Sequence, residues 1–333
     1  MHEKVTIKTP AGEVPGIAPL VISASRATDL PAFHANWFMH KLNQGYCAWV
    51  NPYNCKQKSF ISFSNCRVIV FWSKNPKPLM CYLDDISALG MKYYFQYTVN
   101  DYEKEDFEPN IPPINSRIET FIKLSENIGT DKVIWRYDPL LLTKNLSLNE
   151  ILDRIFYIGE KINQYTEKLI FSFADISNYT KVAHNLKIKD SSARELDKDE
   201  QHIFAQKLFE MNSTWKRRLE LATCAEIETL PGISRNKCID NALICKLCPN
   251  DTEIVQKYGQ PISQLSLLDK KQPNSKPIKN KGQREECGCA PSKDIGAYNT
   301  CMHLCAYCYA NHSQKAVANN FAKLSIKSES LLS

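Results

Sequence analysis

A chain of 333 residues, 43% hydrophobic and 23% charged, can bury the core of one large α/β domain or two ordinary ones. That composition excludes a disordered protein, a collagen-like chain and a disulfide-stapled miniprotein. The excess of 42 Lys+Arg over 36 Asp+Glu, a formal charge of +6, permits an anionic partner without demanding one.

Met1–Gly16 is polar and lacks the apolar core of a secretory signal. No apolar stretch approaches the roughly 18 residues of a membrane span. The expected compartment is therefore the cytoplasm, with no membrane partner. Thiols stay reduced there, and clustered cysteines read as metal ligands or redox groups.

Short apolar or aromatic runs predict strands at Leu20–Ser25, Arg67–Trp72, Lys92–Thr98, Lys132–Tyr137, Lys168–Phe173 and Arg218–Thr223. Such runs suit strands buried on both faces. Helical patterns lie between several of them. Arg117–Ile128 places Ile118, Phe121, Ile122, Ser125 and Ile128 on one face, and Gly129 supplies a stop. Ser147–Gln164 opens with Ser147 and Glu150 as a capping box and carries Ile151, Ile155, Ile158 and Ile162 in one stripe. Asp197–Asn212 is a third helix. Strands alternating with helices predict a parallel sheet, open or closed into a barrel, over residues 1–223.

The composition then changes. Of 13 cysteines, nine lie at or beyond Cys224, which divides the rest into a cysteine-rich segment, 224–293, and a last segment, 294–333. Lys270–Arg284 is basic and contains Pro273 and Pro277. It reads as a solvated linker, with a nucleic-acid contact as the alternative. The tail beyond Phe321 is expected to fray.

The sharpest signal is Cys301-Met302-His303-Leu304-Cys305-Ala306-Tyr307-Cys308. Structural zinc commonly uses four ligands in two short pairs. Three thiols at spacing x3 and x2, with no fourth downstream, suit an iron–sulfur cubane with one iron left open. Spacing alone favours iron–sulfur over zinc. Cys287-Gly288-Cys289 and Cys245-x2-Cys248 are further tight pairs, and glycine between the first two permits close backbone approach. Cys47, Cys55, Cys66 and Cys81 are scattered, as small core residues are.

Cys-x3-Cys-x2-Cys with an aromatic before the last cysteine resembles the signature of radical S-adenosylmethionine enzymes. The resemblance implies a 4Fe–4S cluster on Cys301, Cys305 and Cys308. It also implies S-adenosylmethionine on the open iron, and a one-electron donor such as a flavodoxin or ferredoxin. The cofactor pair then yields a 5′-deoxyadenosyl radical that abstracts hydrogen from substrate. The stretch Gly296-Ala297-Tyr298-Asn299-Thr300-Cys301 through Asn311 is similar to the cluster loop of the spore photoproduct lyase-like branch, where that loop lies near the amino terminus. Ser23-x-Ser25-x2-Thr28-Asp29-x-Pro31, Phe71-Trp72-Ser73-Lys74-Asn75-Pro76, Gln96-Tyr97-Thr98 and Trp135-Arg136-Tyr137-Asp138-Pro139 resemble that branch's successive strands. The implied fold is α/β. It is a partial TIM-type (β/α)6 barrel, circularly permuted, with a C-terminal cysteine-rich iron–sulfur segment whose last part completes the barrel. A clear Gly-Gly-Glu segment for the methionine amino group is missing.

The whole chain also resembles a bacterial family with C-terminal cysteines like those of radical S-adenosylmethionine proteins, a resemblance that brings no substrate with it. Its pattern, Ala222-Thr223-Cys224-Ala225-Glu226, Cys238-Ile239-Asp240 and Cys287-Gly288-Cys289, implies a second 4Fe–4S cluster on Cys224, Cys238, Cys287 and Cys289, with structural zinc as the rival. In such barrels the strand ends face the site. Arg26, Asp29, Lys74, Gln96, Arg136 and Asp138 fall there, as do Asn75, Asp175 and Glu226, and the first six are the candidate cofactor contacts together with Tyr307, which the resemblance puts against adenine. The bland alternative is an ion-pair network holding loops. His303 faces either cluster or solvent, whereas His34 and His40, six apart, are ordinary surface or core histidines. The substrate class is open among a nucleic acid, a peptide and a small metabolite, with the charge favouring an anionic one. The rival to an enzyme is a zinc- or cluster-stabilised nucleic-acid-binding protein.

Overall fold

A computed structural model describes residues 2–224, 226, 229–259 and 287–332. The basic run Lys270–Arg284 and the Cys55 side chain lie outside them. In chain order the strands are β1 Glu3–Thr9, β2 Gly12–Ala18, β3 Val21–Ala24, β4 Tyr46–Asn51, β5 Asn54–Ser62 and β6 Val68–Ser73. They continue as β7 Lys92–Thr98, β8 Val133–Leu140, β9 Lys168–Phe173, β10 Glu220–Thr223, β11 Ser234–Arg235 and β12 Lys293–Asp294.

Eight of these form one sheet in the order β11-β10-β9-β8-β7-β6-β3-β12, every neighbouring pair parallel. All six strands expected from the sequence are in it. The order follows the chain from β3 to β11 without reversal. Then β12, from the far end of the chain, pairs with β3 through Lys293↔Ile22 and Asp294↔Ser23. The two outermost strands, of two residues each, are not paired with each other, so the sheet is not hydrogen-bonded into a closed ring.

Both faces are buried, as the continuous apolar runs require. Ile69, Phe71, Phe95, Tyr97, Trp135, Tyr137, Leu169 and Phe171 point to one face, into the main core. Helices Ile114–Ile128, Leu148–Ile162 and Lys198–Asn212 bury their stripes in the same core. Alternating residues Val68, Val70, Tyr94, Ile134, Ile170 and Ala222 point to the opposite face, where they meet Ile239, Ile244, Ile254, Tyr258 and Cys289. Residues 238–258 and 287–290 therefore roof the second face of the sheet.

Helix starts follow side-chain chemistry. Ser147 accepts from the Glu150 amide at 3.3 Å, while the Glu150 carboxylate turns to Arg154 instead of closing the expected box. The full capping box is that of Asp197 and Glu200. Gly159, inside the Leu148–Ile162 helix, faces the Trp215 ring so closely that an added Cβ would sit 2.0 Å from it. Gly159→Ala should therefore cost about 1–3 kcal/mol by overpacking, more than the roughly 1 kcal/mol gained in helix propensity. Urea denaturation checks this, and an unchanged or raised midpoint would refute it.

One expectation, the frayed tail, is corrected, and one sheet is added. The polar amino terminus pairs as β1 and β2 in a second sheet, order β1-β2-β5-β4. The tail beyond Phe321 is tied down: the Trp37 indole donates to the Ser328 carbonyl at 2.8 Å, Lys41 to the Lys327 carbonyl at 3.1 Å, and the Ala48 amide to the Glu329 carbonyl at 2.7 Å. Backbone acceptors satisfied by buried donors hold a segment that sequence polarity marks as loose.

Candidate metal centres

The pairing of β12 with β3 returns the Cys301–Cys308 loop to the carboxyl ends of strands that begin the chain. Gly296 makes this approach possible, because a Cβ there would lie 1.7 Å from the Ser25 hydroxyl oxygen. Asp294 accepts from the Ser23 hydroxyl at 2.9 Å and from the Arg26 amide at 2.8 Å, fixing the strand end beside β3. The loop is then held from outside its thiols. His34 meets the Thr300 carbonyl at 2.9 Å, Asn110 donates to the Met302 carbonyl at 2.8 Å, Asn311 to the Cys301 carbonyl at 2.8 Å, and the Ala306 amide to the Phe107 carbonyl at 2.9 Å. Leu304 lies at φ +55°, which bulky side chains seldom adopt.

Cys301, Cys305 and Cys308 are free thiols close enough to influence one another's ionisation. Burial pushes Cys301 up to about 12, with Asp29 and Cys308 adding to it. Such thiols ionise only with a cation to hold.

Two polar groups flank them. The Asp29 carboxylate is met by Ser73 at 2.7 Å, the Lys74 amide at 2.7 Å and His303 Nε2 at 2.8 Å. His303 is buried, not turned to solvent, and meets Asp29. Lys74 Nζ reaches Glu108 at 2.8 Å and the Tyr307 hydroxyl at 3.0 Å, and Tyr307 donates to Glu108. Asn100 donates to Glu108 at 3.2 Å, and Arg117 stands 3.7 Å from its other oxygen. Burial raises the Glu108 pKa, but Lys74 and Arg117 outweigh it and hold the carboxyl below its ordinary range. Thr28 Oγ1, Glu108 Oε2 and Asn311 Oδ1 are buried without a hydrogen-bond partner, the state of groups that await a polar ligand.

The second cysteine set gathers on the roofed face. The Cys224 and Cys238 sulfurs are 3.3 Å apart, Cys289 Sγ accepts from the Cys238 and Ile239 amides at 3.2 and 3.4 Å, and Cys287 hydrogen-bonds Cys289. The Cys238 thiol is held below its ordinary range, first by hydrogen bonds from Cys224 and Cys289 and then by Arg136 and Arg26. Cys245 and Cys248 stay apart, Cys248 near Asp251, Lys92 and Arg67 and Cys245 near Asp240. Among the described residues no three His, Cys, Asp or Glu side chains converge on a single-ion cage. The Cys224 and Cys238 sulfurs stand closer together than ligands on separate irons of a cubane would.

The expected contacts divide between the two sets. Tyr307, Asp29 and Lys74 border the three-thiol loop. Gln96 and Arg136 border the second set, donating to the Cys238 carbonyl at 3.0 Å and the Cys238 sulfur at 3.1 Å. Arg26 and Arg136 share the face of Trp72, at 5.3 and 5.2 Å from its centroid. Asp138 pairs with Arg136 through its side chain and accepts from Asn100 through its carbonyl at 2.9 Å, which links the two sites. Asn100 and Asn236 escape a reading by motif. Asn100 lies two residues beyond the end of β7, in phase with Tyr94, Gln96 and Thr98, a signal the sequence does carry.

An α/β protein with a long parallel sheet and two cysteine groups at one face and rim is the class so defined. Residues 21–310 match the family described as Domain of unknown function (DUF1848), and the chain belongs to that family. No curated protein and no solved structure matches it. Among the described residues no helix is long and apolar enough to cross a membrane.

Proposed function

We propose that the chain is a radical S-adenosylmethionine enzyme on a circularly permuted partial barrel, β12 standing where such a barrel's first strand stands. The single observation that carries this is the placement of Cys301, Cys305 and Cys308 at the carboxyl ends of parallel strands by a strand pair 271 residues apart in the chain. The donors fit the group: three free thiols, no fourth cysteine in the loop, and orphaned polar atoms on Thr28, Glu108 and Asn311 beside it. Bound there, a 4Fe–4S cluster with S-adenosylmethionine supplies a 5′-deoxyadenosyl radical that abstracts hydrogen from substrate.

The chain's own groups do the positioning. Asp29, held by three donors, fixes the His303 turn between the first two cysteines. Lys74 and Glu108 present one cation and one anion at the rim, suited to the carboxylate and ammonium of an amino acid. Tyr307 is anchored by its hydroxyl and offers a ring to a nucleobase. Electrons come from a reduced carrier protein of the flavodoxin or ferredoxin kind. The substrate is an anionic molecule, with nucleic acid one class of it, and the enzyme works in the cytoplasm.

Anaerobic reconstitution with iron and sulfide, followed by reduction with S-adenosylmethionine present, is expected to release 5′-deoxyadenosine and methionine. Zinc without iron in the purified protein, or no cleavage by fully reconstituted protein, would overturn the proposal in favour of a metal-stabilised binding protein.

A further inference from the structure

We infer that Cys224 and Cys238 form a redox-active dithiol, which closes to a disulfide by exchange with a small-molecule disulfide and reopens with a dithiol reductant. The inference goes beyond the enzyme reading and does not depend on it. The two sulfurs are already in contact, 3.3 Å apart. Two thiolates on one tetrahedral zinc, with bonds of about 2.3 Å, would stand about 3.8 Å apart. The backbone keeps the pair together. Cys224 follows β10 and Cys238 lies just beyond β11, two strands paired in parallel, and the Asn236 amide donates to the Thr223 carbonyl at 2.8 Å.

The two thiols differ in the way that exchange requires. Cys224 is partly exposed and Cys238 is buried. Two side chains aim donors at the Cys238 sulfur, Arg136 Nη1 at 3.1 Å and Asn236 Nδ2 at 3.0 Å. Both residues are buried, 4% and 5% exposed, and Arg136 is fixed by Asp138 and by the Gln96 side-chain oxygen at 3.3 Å. Donors so placed favour negative charge on the sulfur, the form that attacks. In the first step the Cys224 thiolate attacks one sulfur of the incoming disulfide, and the first small thiolate leaves and takes up the proton that Cys224 gave. In the second, the Cys238 thiolate attacks the Cys224 sulfur, and the second small thiolate leaves and takes up the Cys238 proton. One protein disulfide forms, one small disulfide becomes two thiols, and two electrons and two protons pass between them. Arg136 and Asn236 are positioning residues here. Cys289, whose sulfur accepts from the Cys238 and Ile239 amides at 3.2 and 3.4 Å, is the rival partner for Cys238.

The test treats the reduced full chain with oxidised glutathione, alkylates the remaining thiols and maps the peptides by mass spectrometry. A Cys224–Cys238 disulfide is expected, reopened by dithiothreitol. Cys238→Ser should stop at the first step and keep one glutathione on Cys224. Asn236→Ala, which leaves every charge in place, should slow closure about tenfold, the worth of one hydrogen bond to a charged sulfur. Cys224 and Cys238 left as thiols in wild type, or Cys238 joined to Cys289 instead, would overturn the inference. So would stoichiometric zinc or iron found on Cys224 and Cys238 in the purified protein. None of these outcomes touches the 5′-deoxyadenosine assay, which tests the enzyme reading separately.

Discussion

Replacing Cys301, Cys305 and Cys308 together by alanine should remove about four irons per chain from the reconstituted protein and abolish 5′-deoxyadenosine formation. Any metal held by the second cysteine set should stay bound. The fold should survive, because the loop is held by other atoms. His34, Asn110 and Asn311 grip its carbonyls, Phe107 grips its Ala306 amide, and Asp29 grips His303. None of those bonds involves a sulfur. The second thiols lie on the opposite side of Asp138 and Asn100, under a separate apolar cluster, so they do not depend on the first. Iron content unchanged by the triple substitution would mean that these thiols hold no iron.

The parallel sheet was legible because doubly buried strands leave continuous apolar runs, and Lys92–Thr98 and Lys168–Phe173 fall at the very bounds those runs suggest. The second sheet was not. Lys4, Thr6, Lys8 and Glu13 sit on exposed strands whose alternation is too polar to separate from loop. The two cysteine groups were legible from spacing and resemblance. Which strand-end residue serves which group was not. A sequence places Gln96 and Arg136 at strand ends, but says nothing of what lies over them. Only the path of 238–258 and 287–290 across the sheet puts Cys238 against both. The tail was misread for a similar reason: Ser328 and Glu329 are held by their carbonyls, which no side-chain pattern reports.

Glu108→Gln is the other large effect expected, and it bears on stability as much as on the site. The Glu108 side chain is 3% exposed, Lys74 lies 2.8 Å from one oxygen, and Arg117 lies 3.7 Å from the other. An amide leaves the Lys74 and Arg117 charges with no buried anion between them; Arg117 keeps the Asn100 carbonyl at 2.6 Å and the half-exposed Glu103 at 3.5 Å. Breaking a buried pair in this way costs about 3–5 kcal/mol. The pH dependence follows from the lowered Glu108 pKa. A carboxyl whose folded value lies below its unfolded value of about 4.3 contributes fully above that value. The contribution fades as pH falls through the lower, folded value, where the native carboxylate takes up its proton. Urea unfolding of wild type and Glu108→Gln should therefore differ most near neutral pH, and the two curves should draw together in acid. A gap that stays constant with pH would mean the loss comes from packing rather than charge, and a variant as stable as wild type would remove Glu108 from the buried network altogether.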